Sequence, residues 1–232
     1  MFRTLGSRFF CHNNQRCVAP PGALPKGSGK PIIVCSIKRT GTHALIDLIL
    51  NNFRSYQRSP LYVDYDQLVR LGVERESLFE MGDIVVKTHY PQVQFDDPKA
   101  IEDLRRLARD SHVLCPIRPQ EAVHCSMKRF NAEVNNFTSE ELEELYRRHE
   151  TFWAEFSPVS FEFKSLVSSD CASRNIEKIA SVLGLSAPSR VVANPGKDQV
   201  ILTMCLKLAT RVLGRRSPRL NTTIQFVSKV KR

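Results

Sequence analysis

Residues 32–50 read Ile-Ile-Val-Cys-Ser-Ile, then Lys-Arg-Thr-Gly-Thr-His, then Ala-Leu-Ile-Asp-Leu-Ile-Leu. A short, almost wholly apolar run is the pattern of a strand buried on both faces. The tight polar turn and apolar helix-length block that follow make it the opening of a parallel α/β unit. The pattern recurs. Asp83–Lys87 and His112–Ile117 read as further strands, with a charged helix over 98–110 between them. Helices are expected over 119–131 and 139–155, the second opened by the cap sequence Thr138-Ser139-Glu140-Glu141. A fourth strand spans Val159–Phe163, and a helix over 173–184 closes on Gly184. Short apolar strands alternating with helices predict an open parallel β-sheet flanked by helices. Such sheets bind ligands beyond the carboxyl ends of their strands. The unusual polar residues of this chain fall there, after positions 37, 86 and 117.

Composition narrows the class. With 232 residues and 42% apolar content the chain can bury an ordinary core. No apolar run approaches the roughly 20 residues of a membrane-spanning helix, and residues 1–17 do not form a signal-peptide pattern, so a cytoplasmic location is expected. The net charge of +10 sits at the ends: residues 1–30 carry +5 and residues 197–232 carry +8, which leaves 31–196 at −3. The chain therefore divides into an irregular basic arm (1–30), a domain (31–196) and a basic helix and tail (197–232). A near-neutral centre argues against specific nucleic-acid binding and is compatible with basic arms touching an acidic surface. The polar residues Gln199, Thr203, Lys207, Thr210 and Gly214 leave a wide apolar face on the C-terminal segment. That face can pack on the domain or lie on an anionic membrane surface. Of the seven cysteines, Cys35 and Cys115 lie in apolar runs and read as buried small hydrophobes. Cys11, His12 and Cys17 match no standard zinc spacing, and no metal is expected.

The three polar clusters carry the chemistry. In the first, Gly41 allows a close turn at a helix N-terminus, Thr40 and Thr42 add hydroxyl donors, and Lys38 and Arg39 add charge. That is an anion site of phosphate type, without the Walker A spacing. In the second, Lys87-Thr88-His89-Tyr90-Pro91 puts a cation and an imidazole where a phosphate-loop NTPase commonly has a magnesium-binding Asp. In the third, Arg118 ends a strand and Ser126 follows eight positions later on a helix, a forked cation and a hydroxyl suited to a second phosphate.

Taken in this order, the three clusters resemble the signatures of the sulfotransferases that use 3′-phosphoadenosine 5′-phosphosulfate (PAPS). Alignment on Gly41 makes Arg39 the family's basic residue, Thr40 its Ser, and Thr42 and His43 its Thr-Thr pair. Lys38 is one residue early. Ala44 stands where the family has an adenine-stacking Trp. Lys87-Thr88-His89-x-Pro91 is similar to the family motif of transfer lysine and general base. Arg118 and Ser126 match its 3′-phosphate pair, and Phe163 takes the position of a Tyr near adenine. Asn194-Pro195-Gly196-Lys197 is the candidate for its late phosphate loop.

The resemblance implies a P-loop-like sulfotransferase domain. A sulfuryl group would pass in line from PAPS to an acceptor hydroxyl, with PAP (3′,5′-diphosphoadenosine) as product and no metal. It implies His89 as base, with Lys87 and Arg39 or Lys38 neutralising developing charge. Lys38, Arg39, Thr40, Gly41, Thr42 and His43 would line the phosphosulfate. By residue type alone His43, like His124, reads as structural. Two other readings compete: a kinase of related fold, and a non-catalytic anion- or membrane-binding protein. The acceptor, a carbohydrate or another alcohol or phenol, would meet residues 54–82 and 131–158. There Tyr56, Tyr62, Tyr65, Phe137 and Trp153 can stack on a ring or pack a core.

Overall fold

The computed structural model describes residues 16–17, 29–56, 62–72, 75–80, 82–130 and 137–194. Cys11 and His12, the candidate late-loop residues Pro195 to Lys197 and the C-terminal segment from 197 on lie outside the described residues. The strands are β1 (Arg16–Cys17), β2 (Ile32–Cys35), β3 (Tyr62–Asp64), β4 (Val85–Thr88), β5 (His112–Ile117) and β6 (Val159–Glu162). They form one sheet in the order β1-β3-β4-β2-β5-β6, and every neighbouring pair is parallel. The helices are α1 (Thr42–Asn52), α2 (Tyr65–Arg70), α3 (Pro98–Arg109), α4 (Gln120–Phe130), α5 (Ser139–Ala154), α6 (Phe163–Leu166) and α7 (Ala172–Leu183). The expected open parallel sheet flanked by helices is thus present. No helix among the described residues is long and apolar enough to cross a membrane.

The period-two geometry of a strand sorts the sheet's side chains into two cores. Ile32, Val34, Val85, Leu114 and Phe161 face α1 and α7. Ile33, Cys35, Val86, Val113 and Cys115 face the opposite way, with Leu104 and Leu107 of α3 and Trp153 of α5. Both faces are covered, which is why the strand sequences run apolar without alternation. α1 and α3 therefore leave their strands, β2 and β4, toward opposite faces. Adjacent strands whose connections diverge in this way open a crevice at their carboxyl ends. A third cluster, of Ile37, Val123, Met127, Leu142 and Leu145, packs α4 on α5 and traps the turn after β2.

The helix ends follow the sequence signals. Thr138 and Glu141 form a reciprocal capping box on α5. Asp97 caps α3, accepting from the Lys99 N–H at 3.0 Å, with Pro98 in the first turn. Gly184 closes α7 in the left-handed region at φ 65°.

Three details differ from the sequence reading. Strand β6 ends at Glu162, so Phe163 opens a short helix instead of ending a strand. Strand β3 and helix α2 were not expected. Three residues ending in an aspartate carry no recognisable period, and β3 exists because Val63 and Asp64 pair with Val86 and Lys87 of β4. Finally, Tyr56, Tyr65 and Trp153 are 3%, 1% and 1% exposed and belong to the core. Of the aromatic residues named for an acceptor, Tyr62 and Phe137 remain half-buried.

Candidate functional site

The turn from β2 to α1 is built around two left-handed residues. Arg39 has φ 75° and Gly41 φ 116°. A non-glycine residue at positive φ is uncommon; here the Thr40 hydroxyl and N–H both donate to the Ile37 carbonyl, at 2.7 and 3.3 Å, and hold the turn. Gly41 is required twice over. A Cβ at this position would be strained by its φ and would lie 2.7 Å from Cδ2 of Phe163. No side chain caps α1 at Gly41, and the first N–H groups of a helix have no partner within it. Below them, the Thr42 and Ser36 hydroxyls are 2.6 Å apart.

Across the crevice, His89 leaves the end of β4. Its Nδ1 lies 2.8 Å from the Ser36 carbonyl oxygen and 3.2 Å from the Ser36 hydroxyl. A carbonyl can only accept, so Nδ1 carries the hydrogen and the Nε2 lone pair remains unprotonated. Burial, reinforced by the Lys87 charge, holds the His89 pKa well below its ordinary value. The ring is thus a neutral base of fixed tautomer. Asp66 fixes its backbone: one carboxylate oxygen accepts from the His89 N–H at 2.9 Å, the other from the Thr88 hydroxyl at 2.7 Å. Burial, the largest influence, pushes the Asp66 pKa up to about 6 against the lowering effect of the Thr88 hydrogen bond.

Lys87 points to the α1 side of the sheet, where Asp64 stands opposite it in register. Its Nζ donates to Asp64 Oδ2 at 2.6 Å, and both side chains are less than a tenth exposed. The sequence had offered a cation with no acid at the end of β4. The fold supplies the acid from β3, and Lys87 is half of a buried pair.

The third cluster closes the other end. The Arg39 Nε donates to the Ser126 hydroxyl at 3.2 Å, and an Arg118 Nη donates to the Arg39 carbonyl at 3.1 Å. The Arg118 guanidinium lies 4.5 Å from the centre of the Phe163 ring, and its own carbonyl accepts from the Tyr146 hydroxyl at 3.0 Å. Burial, and then the neighbouring Arg118 charge, lowers the Arg39 pKa. Two guanidiniums held together with a hydroxyl and a helix N-terminus make a place that an oxyanion relieves.

The structure therefore brings Arg39, Gly41, Arg118, Ser126 and Phe163 into one contiguous set, and Thr42 and His89 into another that meets at Ser36. Arg39, expected on the phosphosulfate, reaches Ser126, expected on the 3′-phosphate. The Lys38 N–H donates to Gln92 Oε1 at 2.7 Å, which ties the loop to the segment after His89. His43 makes an edge contact with Tyr62, their ring centres 5.7 Å apart, and His124 bonds the Phe137 carbonyl at 3.0 Å. Asn194 donates to the carbonyls of Ala44 and Leu166 at 2.9 and 2.8 Å, a brace between α1 and α6. Sequence reasoning missed Ser36, Asp64, Asp66 and Gln92. The only signal for the two acids was their spacing in Tyr62-Val63-Asp64-Tyr65-Asp66, which without β3 has no meaning.

No family model matches the chain, and no curated protein matches it.

Two outcomes follow from the carboxylates. Removing one member of a buried ion pair costs about 3–5 kcal/mol, whereas an apolar replacement of both is close to neutral. Asp64→Leu is expected to lower the unfolding free energy in urea by that amount, and Asp64→Leu/Lys87→Met to recover most of it. Equal losses would show that the pair is not what Lys87 depends on.

Asp66 gives a dependence on pH. Its folded-state pKa of about 6 lies above the roughly 3.9 of an unfolded aspartate. The folded protein holds this proton more tightly, so wild type loses stability as pH rises from about 4 to about 6. Asp66→Asn cannot titrate; its amide oxygen can accept from the His89 N–H, and its amide nitrogen can donate to the Thr88 hydroxyl oxygen, reversing that bond. The stability difference, variant minus wild type, is expected to grow across that window by up to about 3 kcal/mol and to level off above it. A difference independent of pH would remove Asp66 from this role.

Proposed function

We propose that the chain is a PAPS-dependent sulfotransferase of P-loop-like fold that acts on a hydroxyl-bearing acceptor. One observation carries the reading: His89 is a buried, neutral imidazole whose tautomer leaves Nε2 as acceptor, held at Ser36, whose hydroxyl in turn meets Thr42 at the start of α1. A general base must be unprotonated before it can accept a proton, and the burial of His89 and its bond to the Ser36 carbonyl support that state.

The residues present fit a nucleotide with two anionic ends. The paired guanidiniums suit a phosphate, the Gly41 turn lets backbone N–H groups approach an anion, and the Phe163 ring supplies an apolar face beside Arg118. In this reading Arg118 and Ser126 hold the 3′-phosphate and Arg39 bridges from it to the loop. Thr40, Gly41 and Thr42 shape the turn whose amides meet the phosphosulfate. PAPS supplies the sulfuryl group that is transferred. His89 Nε2 takes the acceptor's proton, so that the hydroxyl oxygen can bond to sulfur as the bond from sulfur to the bridging oxygen breaks. Lys87, with Asp64 behind it, offers an ammonium held rigidly near the developing charge.

Asp64 and Asp66 favour a second reading, phosphoryl transfer, because carboxylates at strand ends are where such enzymes hold magnesium. Both are engaged here, one by Lys87 and the other by Thr88 and His89. The sulfotransferase reading is the stronger.

Replacing His89 with Asn keeps a donor to the Ser36 carbonyl and removes the base. Turnover is expected to fall by about 10²–10⁴-fold with PAP affinity little changed. For wild type, the acid limb of kcat/KM is expected below the ordinary imidazole value near 6.5. Turnover of the variant within twofold of wild type would take His89 out of the mechanism.

The nucleotide itself is tested by calorimetric titration. Wild type is expected to prefer PAP over 5′-AMP, ADP and ATP, because a charge-assisted contact contributes roughly 1.5–3 kcal/mol, about 10- to 150-fold in Kd. Arg118→Ala should erase most of the preference for PAP over 5′-AMP. A preference for ATP would favour phosphoryl transfer, and equal affinity for PAP and 5′-AMP would overturn the assignment.

A further inference from the structure

Behind the crevice, three side chains with soft or borderline donor atoms converge in the core. The register of β2 and β5 pairs Ile33 with Val113 and Val34 with Leu114, which sets Cys35 beside Cys115. Both thiols face the core shared with α3 and α5, and both are free. His149 of α5, one helical turn before Trp153, lies over them. The two sulfurs and a ring nitrogen of His149 all lie within 4.8 Å of one another. The three residues are 0%, 7% and 6% exposed.

This is more than a packing contact. The Nε2 of His149 is buried with no hydrogen-bond partner among the described residues, although a buried imidazole normally spends both nitrogens. The thiols meet each other, and each makes one long contact to a carbonyl, 3.7 Å from Cys35 to Leu114 and 3.9 Å from Cys115 to Pro116. Around a tetrahedral zinc ion, with bonds of about 2.3 Å to sulfur and 2.0 Å to nitrogen, ligand atoms stand about 3.5–3.8 Å apart. With no separation above 4.8 Å, the cluster reaches that spacing by closing up by at most about 1.3 Å.

We propose that Cys35, Cys115 and His149 form a site for a thiophilic divalent ion, zinc(II). Binding exchanges two thiol protons, released to solvent, for two sulfur–zinc bonds and one nitrogen–zinc bond, with water in the fourth position. Two thiolates, one neutral imidazole and Zn²⁺ sum to zero charge, the arrangement least costly to hold in an apolar core. The site would tie β2 and β5 to α5 one residue before Ser36 and three before Arg118. It is independent of the nucleotide reading, which makes no use of these residues.

The full chain, purified without chelator, is expected to carry one zinc per molecule by elemental analysis. Cobalt(II) added to metal-stripped protein should give thiolate-to-cobalt charge-transfer absorption in the near ultraviolet. Cys35→Ala/Cys115→Val should abolish that absorption and weaken zinc binding about 100-fold or more, and His149→Phe should weaken it as well. Cys11→Ser/Cys17→Ser should leave both signals intact. Absence of thiolate absorption from wild type overturns the proposal whether or not the core variants fold. Retention of the metal by Cys35→Ala/Cys115→Val, its loss from Cys11→Ser/Cys17→Ser, or a Cys35–Cys115 disulfide in the isolated protein overturns it equally.

Discussion

A buried ammonium group needs an anion beside it, and the pairing of Lys87 with Asp64 organises one end of the crevice. The requirement reaches into the fold. Asp64 can stand opposite Lys87 only if β3 lies beside β4 in the observed register, so a three-residue strand with little intrinsic preference is held where electrostatics needs it. The chain then turns directly into α2, which delivers Asp66 to Thr88 and His89. Two short elements in direct succession thus supply the two acids. One neutralises the lysine, and the other fixes the backbone from which the imidazole projects.

The other end of the crevice depends on contact instead of charge. Phe163 lies against the bare Cα of Gly41 and beneath the Arg118 guanidinium. A ring wedged between a glycine and a cation links the conformation of the turn to the position of Arg118, and the Arg118 hydrogen bond to the Arg39 carbonyl completes the circuit. The two halves meet at Ser36, whose carbonyl orients His89 while its hydroxyl touches Thr42.

Much of this was legible in the sequence because it depends on local pattern. The apolar runs that become β2, β4 and β5 are long enough to declare themselves, and their polar ends name Lys87, His89 and Arg118. Gly41 is legible because only glycine fits the turn, and Gly184 and Thr138 because caps have fixed chemistry. What was not legible depends on pairing across the sheet. Asp64 and Asp66 sit in a segment without period, and nothing local reveals that one will meet Lys87. Ser36 looked like one more residue of a buried strand, and its role arises only when β4 brings His89 beside it. Phe163 was assigned to the end of a strand and opens a helix instead, since a strand and the helix it runs into share an apolar start.

Ile37, at the start of the turn after β2, is 3% exposed and packed among Val123, Met127, Leu142 and Leu145. A turn pinned by an apolar anchor at its base, and by Thr40 within it, has already surrendered its conformational entropy during folding. An arriving anion would meet amide dipoles already aligned and would not spend part of its affinity on ordering them. Were an anion to bind at such a turn, selectivity would come from geometry fixed in advance, and ligands whose oxygens miss that geometry would be refused without any movement of the protein.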